Sequence, residues 1–298
     1  MSQVSRPAHC LLGLTAQTSI HAGSGSADEV IDLPIQREAH SDWPCVFGSS
    51  VKGALRALAE QSTLIPEHQQ AIFGPGTANA SAHAGSLLVS DARLALLPVR
   101  SLTSHFRWVT CPSLLRRLGR DLQRMGLLAQ LPEVPEVATE QVLVAQGPQG
   151  GSELYLEEFR FEQQVTDLDA WLALLAPLCG DSYRSELQQQ LTVVDDDSFR
   201  HLCRSALPVQ PHIRLDNDTK TVESGALWYE ENLAPDSVLY VCLSAQRSRL
   251  DSVSLAPDEL LDTLAGTLFV ERPWLQLGGN ETVGMGWCRI EVIKEALA

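Results

Sequence analysis

The stretch from His21 to Arg56, HAGSGSADEVIDLPIQREAHSDWPCVFGSSVKGALR, constrains this chain more than any other. It opens with a Gly/Ser turn at 21–26, carries acidic residues up to Asp32, turns again at Trp43-Pro44 and enters a helix. No long apolar run crosses it, so it cannot form ordinary core, and we expect few apolar anchors to hold it. Because sites concentrate on loops that a rigid scaffold positions, this loop is the first candidate for a functional site.

The composition indicates a folded protein. A length of 298 residues allows one large domain or two small ones, at roughly 100–200 residues per domain. The hydrophobic fraction of 44% is enough for a sizeable core and argues against global disorder. No run approaches the ~18 apolar residues of a membrane span, and the start, MSQVSRPAHC, lacks a signal-peptide pattern. We therefore expect a cytoplasmic protein without a membrane partner.

The cysteines argue against a stabilising framework of disulfides. There are 7 of them, scattered along the chain, and no two form a C-x-x-C pair. An odd number at such spacings disfavours both disulfide pairing and a zinc knuckle. Buried free thiols in a reducing cytoplasm are the favoured interpretation.

The charge gives a mixed indication about nucleic acid. A net charge of −15 argues against a simple nucleic-acid binder, because such domains are usually basic. The 22 cationic residues, however, are nearly all arginines, with only Lys52, Lys220 and Lys294 as exceptions. Arginine suits bidentate phosphate contacts and stacking on bases. An acidic protein can still carry a basic stripe, so RNA binding remains open.

A helix is predicted at 49–61, at the end of the opening loop. Ser49 or Ser50 is expected to cap it. Lys52 and Arg56 are four residues apart and therefore share one flank. A solvated face and a phosphate contact near the helix start are both compatible with this spacing.

A second predicted helix, at 113–127, holds the densest basic patch of the chain: Arg116, Arg117, Arg120 and Arg124. A solvated helix face and a rail for an RNA backbone are open alternatives for it. The preceding segment, 101–113, interleaves aromatic rings with Arg107. Such residues can stack bases, although a half-buried strand is the favoured interpretation.

The remaining periodicity predicts a chain of mixed helices and strands. Strands are expected at 7–20, 85–99, 153–165, 209–245 and 275–293, and helices at 167–178, 181–191, 195–205 and 257–268. The segments 72–84 and 130–152 are expected to be a turn-rich region and an exposed excursion. The triplet Asp195-Asp196-Asp197 could suggest a metal site, but acidic residues in the first turn of a helix are the simpler interpretation.

A glycine-rich turn, LQLGGNETVGMGW, leads into the last predicted strand. Gly279, Gly284 and Gly286 follow the pattern G-x4-G-x-G, and glycines leave backbone N–H groups free to approach a phosphate. The motif lacks the Lys-Ser/Thr of a nucleotide P-loop, so an NTPase is disfavoured. An unrelated cytoplasmic enzyme with a small-molecule pocket near this turn remains a competing hypothesis.

Several blocks along the chain, in order, resemble one family: DLPIQREAHSDWP with GSSVKGALR, IFGPGTANASAHAGSLLVSDARLALLPVRSL with WVTCP, SGALWYEE, and LGGNETVGMGW. They resemble the backbone nuclease subunit of type III-B (Cmr) CRISPR–Cas effector complexes, which belongs to the RAMP superfamily. The resemblance runs from about residue 10 to residue 293 and is weakest at 130–210.

The resemblance implies an α+β fold, a modified RNA-recognition-motif (ferredoxin-like) core with large insertions and a thumb-like hairpin. The chain, 1–298, would form a single RAMP domain with a helical insertion at about 165–205. The thumb would lie at 130–160 or in part of 22–45.

The resemblance also implies partners and an activity. The partners would be a CRISPR RNA, a target single-stranded RNA, further copies of this chain and other Cmr subunits. The activity would be cleavage of the target RNA at regular intervals, with a divalent metal, Mg²⁺ or Mn²⁺, as cofactor. A non-catalytic, RNA-binding filament subunit of the same fold is the alternative.

Carried over residue by residue, the resemblance makes Asp32 the central catalytic group and the candidate metal ligand. RNA brings its own nucleophile, the 2′-OH, so a loop carboxylate can act as base and a histidine as acid. His21 and one of the two acids Glu230 and Glu231 would assist Asp32. The expected RNA-binding residues are Ser49, Ser50, Lys52, Arg56, Arg37, Gly279, Gly284 and Gly286. Three acids near the loop are expected to be bystanders: Asp28, Glu29 and Asp42.

Overall fold

The computed structural model describes residues 6–27, 30–76, 82–146 and 151–297. The helices in this part of the chain are α1 (Gly48–Glu60), α2 (Pro66–Phe73), α3 (Pro112–Arg124), α4 (Asp169–Cys179), α5 (Arg184–Gln190), α6 (Asp196–Ser205) and α7 (Pro257–Phe269). The strands are β1 (Ala8–Ala16), β2 (Cys45–Val46), β3 (Leu87–Val89), β4 (Ala92–Ser101), β5 (His105–Thr110), β6 (Gln141–Val144), β7 (Glu153–Leu156), β8 (Phe159–Val165), β9 (Leu191–Val194), β10 (Val209–Leu215), β11 (Val222–Glu231), β12 (Val238–Ala245), β13 (Trp274–Gln276) and β14 (Trp287–Ile293).

Four long strands form the centre of the molecule, in the order β14-β1-β12-β4, and each is antiparallel to its neighbour. Helix α1 lies between β1 and β4 in the chain, and α7 lies between β12 and β14. This succession, β-α-β-β-α-β with the last strand beside the first, is that of a ferredoxin-like core. The predicted α+β fold class is therefore confirmed.

Strand β1 is buried on both faces, which explains its nearly continuous apolar sequence. Leu12 and Leu14 belong to a hydrophobic cluster shared with helices α1 and α7, whereas Leu11 belongs to a second cluster shared with α4. Gly13 lies where α4 approaches the strand, and a Cβ there would lie 2.3 Å from the carbonyl oxygen of Leu178. The core thus fills both sides of the sheet.

The long insertion between β4 and β12 adds a second half to the sheet. From β4 the strands continue in the order β5-β9-β6-β8-β7, and β7 returns to β4 through the pair of Ser101 and Leu156. This half therefore curls towards a closed ring. Trp108 on β5 is 1% exposed, so the segment is the half-buried strand expected at 101–113 and its tryptophan cannot stack on an RNA base.

Several expectations for the insertion are wrong. The helical insertion at 165–205 includes the strand β9, which is buried and parallel to β5. The segment 153–165 is a hairpin of β7 and β8, because Glu157 turns the chain with a φ of 49°. The excursion at 130–152 contains the buried strand β6, which lies between β8 and β9. Helix α2 was not expected from the sequence at all.

Helix α1 begins differently from the sequence prediction. Phe47, and not Ser49 or Ser50, is its N-cap, and no side chain of the cap residue bonds to the first turn. Instead, the N–H of Gly48 donates to Asp91 Oδ1 at 2.7 Å, and Asp91 comes from the turn between β3 and β4. A cap supplied by a distant residue leaves no local signal in the sequence.

The acidic triplet and the cysteines behave as the sequence predicts. Asp195 caps α6 and accepts hydrogen bonds from the N–H groups of Asp197 and Ser198, so the triplet is a helix start. All 7 cysteines are free and buried. Burial raises the pKa of the Cys10 thiol to about 12, which keeps it protonated and unreactive at neutral pH. Among the described helices, none combines the length and apolar character that a bilayer crossing requires.

Strands β10 and β11 form a hairpin with a two-stranded sheet of its own. Most of its side chains are exposed, including the apolar Ile213, Leu215 and Leu227. The segments suggested for the thumb, 130–160 and part of 22–45, instead contribute strands or buried residues to the main body. The hairpin is therefore the better structural candidate for the expected thumb.

The close approach at Gly13 gives a matched pair of stability predictions. Gly13→Ala should lower the free energy of unfolding by about 1–3 kcal/mol, because the new Cβ overlaps the backbone of α4. Gly53→Ala, in α1 with open space around its Cβ position, should raise it by about 0.5–1 kcal/mol through helix propensity. Denaturant unfolding of the two variants measures both effects, and equal changes would contradict the described packing of α4 on β1.

Candidate functional site

The loop after β1 folds back onto the end of β11. Two isolated backbone bridges hold it there, Ile20 with Leu233 and Leu33 with Glu230, and a third, Gly23 with Ile35, pairs the loop with itself. Because Leu33 pairs with Glu230, the preceding residue of the loop lies beside the end of the hairpin. The structure therefore brings the expected catalytic residues into one region: His21, Asp32, Glu230 and Glu231.

The expectation that few apolar residues anchor this loop is wrong. Ile20, Ala22, Ile35 and Trp43 are only 0%, 3%, 2% and 6% exposed, and all belong to the cluster that contains α1 and α7. Single apolar residues, spaced along the loop, replace the continuous run that a strand or helix would show. The polar residues between them are thus held on a fixed backbone. Asp28 and Glu29 lie outside the described residues.

Asp32 lies at the surface of this region with one carboxylate oxygen already oriented. Its Oδ2 accepts a hydrogen bond of 2.8 Å from the N–H of Tyr229, on β11. Among the described residues, none donates a hydrogen bond to Oδ1. The contact fixes the side chain while leaving one oxygen able to accept a proton.

His21 is nearly buried, with a side chain 12% exposed, and is held by the glycine-rich turn. Its Nδ1 lies 2.8 Å from the carbonyl oxygen of Glu231. A carbonyl can only accept, so Nδ1 carries a proton and Nε2 is the lone-pair nitrogen of the neutral ring. The carbonyl of His21 in turn accepts from the N–H of Gly279 at 2.8 Å, and a Cβ at Gly278 would lie 2.3 Å from that oxygen.

The two neighbouring glutamates have different surroundings. Glu231 is 3% exposed; its Oε1 lies 2.5 Å from Arg37 and its Oε2 accepts from the N–H of Ile35 at 3.1 Å. Arg37 also donates to the carbonyl oxygens of Asp42 and Cys203. Glu231 and Arg37 therefore tie the loop to β11 and α6, and their expected roles in catalysis and RNA binding stay predictions.

Glu230 is also buried, at 4% exposure, but no arginine or lysine pairs with it in the described residues. Asn280 Nδ2 donates to both of its oxygens, at 2.9 and 3.0 Å. His21 Nδ1 and His212 Nε2 each lie 3.9 Å from its Oε1. Two imidazoles thus flank one oriented carboxylate, an arrangement suited to moving or holding a proton.

Sequence reasoning missed His212 and Asn280. The ring of His212 stacks on Trp228, with centroids 5.5 Å apart and planes 12° apart, and its buried Nε2 has no hydrogen-bond partner among the described residues. The position of His212 depends on the register of β10 against β11, which pairs it with Trp228. For Asn280 the sequence does carry a local signal, because it follows two glycines and asparagine readily adopts a positive φ, which is 60° here.

The expected RNA-binding residues of α1 lie on a separate surface. Ser49 is exposed in the first turn and Ser50 follows it. Lys52 Nζ donates to the carbonyl oxygen of Leu87 at 3.0 Å, and burial, with Arg56 nearby, lowers the pKa of Lys52. Arg56 pairs with Glu60 at 3.1 Å, one turn later on the same helix. Both cations share one flank, as predicted, but each already has a protein partner.

The glycine turn has its expected shape but not its expected free donors. Gly284 and Gly286 have φ values of 85° and 84°, which favour glycine. The N–H groups of Gly279, Gly284 and Gly286 donate to the carbonyls of His21, Glu281 and Ser19. The turn therefore shapes the site, and a role in RNA binding stays a prediction.

The described residues do not form a metal site by themselves. They contain no group of three or more His, Cys, Asp or Glu side chains that could hold a metal ion. Asp32 is one candidate ligand, and the remaining ligands of Mg²⁺ or Mn²⁺ would have to be water or RNA. The described residues therefore add no support for the expected Mg²⁺ or Mn²⁺ cofactor, which stays a prediction.

Comparison with known proteins adds to this geometry. A family model described as the RAMP superfamily matches residues 13–289. The CRISPR system Cmr endoribonuclease Cmr4 of Pyrococcus furiosus is 33% identical over 284 residues, 94% of this chain and 94% of that protein. The CRISPR system CMR subunit Cmr4 of Saccharolobus solfataricus is 27% identical over 298 residues, covering 92% of each.

A solved structure shares the whole arrangement. The crystal structure of oligomeric Cmr4 from Pyrococcus furiosus superposes with a TM-score of 0.75 at 26% identity, covering 96% of this chain and 98% of that one. The family match spans the ferredoxin-like strands, the loop after β1 and the glycine turn. The resemblance read from the sequence is thereby confirmed, and this chain belongs to the RAMP superfamily.

Proposed function

We propose that this chain is the CRISPR-RNA-binding backbone subunit of a type III-B Cmr effector complex, and that it cleaves target RNA paired with the guide. The observation that carries the proposal is the convergence of Asp32 and His21, from the loop after β1, with Glu230 at the end of β11 in a RAMP fold. A relative named as an endoribonuclease, 33% identical over nearly the whole chain, supports the activity. The oligomeric crystal form of a similar protein supports stacking of copies. The cytoplasm, with other Cmr subunits present, is the proposed location.

The chemistry begins at the 2′-OH of the target strand. Asp32, with Oδ2 held by the Tyr229 N–H, uses its second oxygen as the base that removes the hydroxyl proton. The freed 2′-oxygen forms a bond to the adjacent phosphorus, and the bond from phosphorus to the 5′-oxygen breaks. The leaving 5′-oxygen then takes a proton, which His21 in its protonated form supplies.

Glu230 supports this step through its electrostatic interaction with His21. Its carboxylate lies 3.9 Å from His21 Nδ1, so positive charge on the ring stands near a fixed negative charge. Asn280 keeps that carboxylate oriented through both oxygens. Glu230 and Asn280 are therefore positioning residues, and Glu231 serves the loop instead.

The Mg²⁺ or Mn²⁺ requirement is a separate proposal, supported by family resemblance alone. Asp32 is the candidate ligand from this chain, and a divalent ion there would neutralise phosphate charge. Because the described residues hold no complete ligand set, every step above is assigned to protein side chains.

The first test removes the proposed base. Asp32→Asn, assembled with guide RNA, should cut target RNA at least 10²-fold more slowly, because an amide cannot take the proton. Target binding should stay within about twofold of the wild type, measured by gel shift beside the cleavage time course. Cleavage at the wild-type rate would refute the assignment of Asp32 as the base.

The second test separates the two glutamates. Glu230→Gln should slow cleavage about 10-fold or more with little change in thermal stability, since the amide still bonds Asn280 but lacks charge. Glu231→Gln should mainly destabilise the fold, by about 2–3 kcal/mol, because Arg37 loses its partly buried partner. Single-turnover cleavage and thermal unfolding are measured for both variants, and the reverse pattern would contradict the assignment.

The third test addresses the metal. Dialysis of the assembled complex against EDTA should abolish cleavage and leave target binding unchanged, and added Mg²⁺ or Mn²⁺ should restore it. Full cleavage in EDTA would refute the metal requirement while leaving the roles of Asp32 and His21 intact.

A further inference from the structure

A groove of about 700 Å³ opens between the segment 37–47 and helix α3, and Asp32 is not among the residues that line it. It is lined by five guanidinium groups, those of Arg37, Arg93, Arg117, Arg120 and Arg124, and by three carboxylates. A local surplus of positive charge is notable in a chain whose net charge is −15. We call this feature the α3 groove.

The carboxylates of the α3 groove act as tethers for the arginines. Glu38 forms an ion pair with Arg117, whose guanidinium also lies over the ring of Trp43, 4.8 Å from its centroid. Asp121 accepts from Arg93 at 2.6 Å and from the hydroxyl of Tyr240 at 2.9 Å. These contacts hold two guanidinium groups in place before any ligand arrives, which lowers the entropy cost of binding.

The tethered arginines keep most of their donors. A guanidinium has five N–H groups, and the side-chain hydrogen bonds of Arg93 and Arg117 in the described residues each use one of their nitrogens. Arg120 is exposed and makes no hydrogen bond or ion pair with the described residues, and Arg124, 58% exposed, lies 3.7 Å from Asp121. The groove therefore presents a surplus of oriented donors, which suits phosphate oxygens.

An aromatic ring beside the arginines indicates the kind of anion. Phe47 lines the same groove and is 42% exposed, which is unusual for a phenylalanine ahead of a helix. Arginines that bind phosphates, together with an exposed ring on which a base can stack, are typical of single-strand binding surfaces. Phe47 also directly precedes α1, so the groove is continuous with the helix start at Ser49.

We propose that the α3 groove binds phosphate groups of a single-stranded RNA, with Phe47 against a base. The proposal deepens the proposed function and rests on it, since it names the surface along which RNA leaves the cleavage loop. Arg37 joins the two regions, because it lines the groove and also holds Glu231. The basic face of α3 is thereby divided: Arg120 and Arg124 face RNA, whereas Arg116 does not line the groove.

The test compares two charge reversals on the same helix, Arg120→Glu and Arg116→Glu. The full-length subunit is titrated with a guide-length 2′-O-methyl RNA, which lacks the nucleophile for cleavage, at several KCl concentrations. Arg120→Glu should weaken binding about tenfold and reduce the salt slope by about 0.7, the value for one phosphate contact of a single strand. Arg116→Glu, with the same change in charge, should stay within about twofold of the wild type.

Each other outcome decides against the groove. Equal weakening by both substitutions would show general electrostatics, and no weakening by either would show that RNA runs elsewhere. Inorganic phosphate and a poly-aspartate peptide serve as competitors; displacement of RNA by the peptide at equal charge concentration would overturn the assignment to RNA. The assay involves no cleavage, so a failed Asp32→Asn test leaves it interpretable, and thermal unfolding verifies that each variant folds.

Discussion

The ion pair between Arg37 and Glu231 is the interaction on which the rest of the site depends. Arg37 belongs to the loop after β1, Glu231 ends β11, and the same guanidinium donates to the carbonyl of Cys203 on α6. One side chain therefore joins three parts of the chain. The bridge between Leu33 and Glu230 lies beside this ion pair, so the ion pair reinforces the backbone contact that places Asp32 next to β11. A buried pair of this kind costs desolvation and contributes specificity of arrangement more than stability.

The sequence was sufficient for the central strands and for the residues that a motif carries. Two-sided burial gives β1 its apolar run, and the periodicity of α7 is local, so both could be predicted. Local patterns could not reveal contacts between distant residues: Asp91 caps α1 across the turn between β3 and β4, and Asn280 reaches Glu230. The strand β9 was missed because a run of four residues, three of them apolar, between two helices is too short to show a strand period. His212 depended on hairpin register, which no single strand specifies.

Net acidity and RNA binding are compatible because the cations are concentrated. Acidic side chains of the α3 groove hold arginines in position, as Glu38 does for Arg117. On an acidic protein with one preorganised basic surface, a polyanion is directed to that surface. A uniformly basic protein of the same fold would not restrict the polyanion to one surface.

The close contact between Gly278 and the carbonyl of His21 has a consequence for synthesis of the protein. The site draws on residues 21–37, on the end of β11 and on Asn280, so its parts are separated by most of the chain. While the ribosome is still translating, the loop after β1 has neither its glycine support nor the carboxylate partner of His21. The newborn polypeptide can therefore complete this site only late, after the glycine turn has emerged and nonlocal pairing has formed.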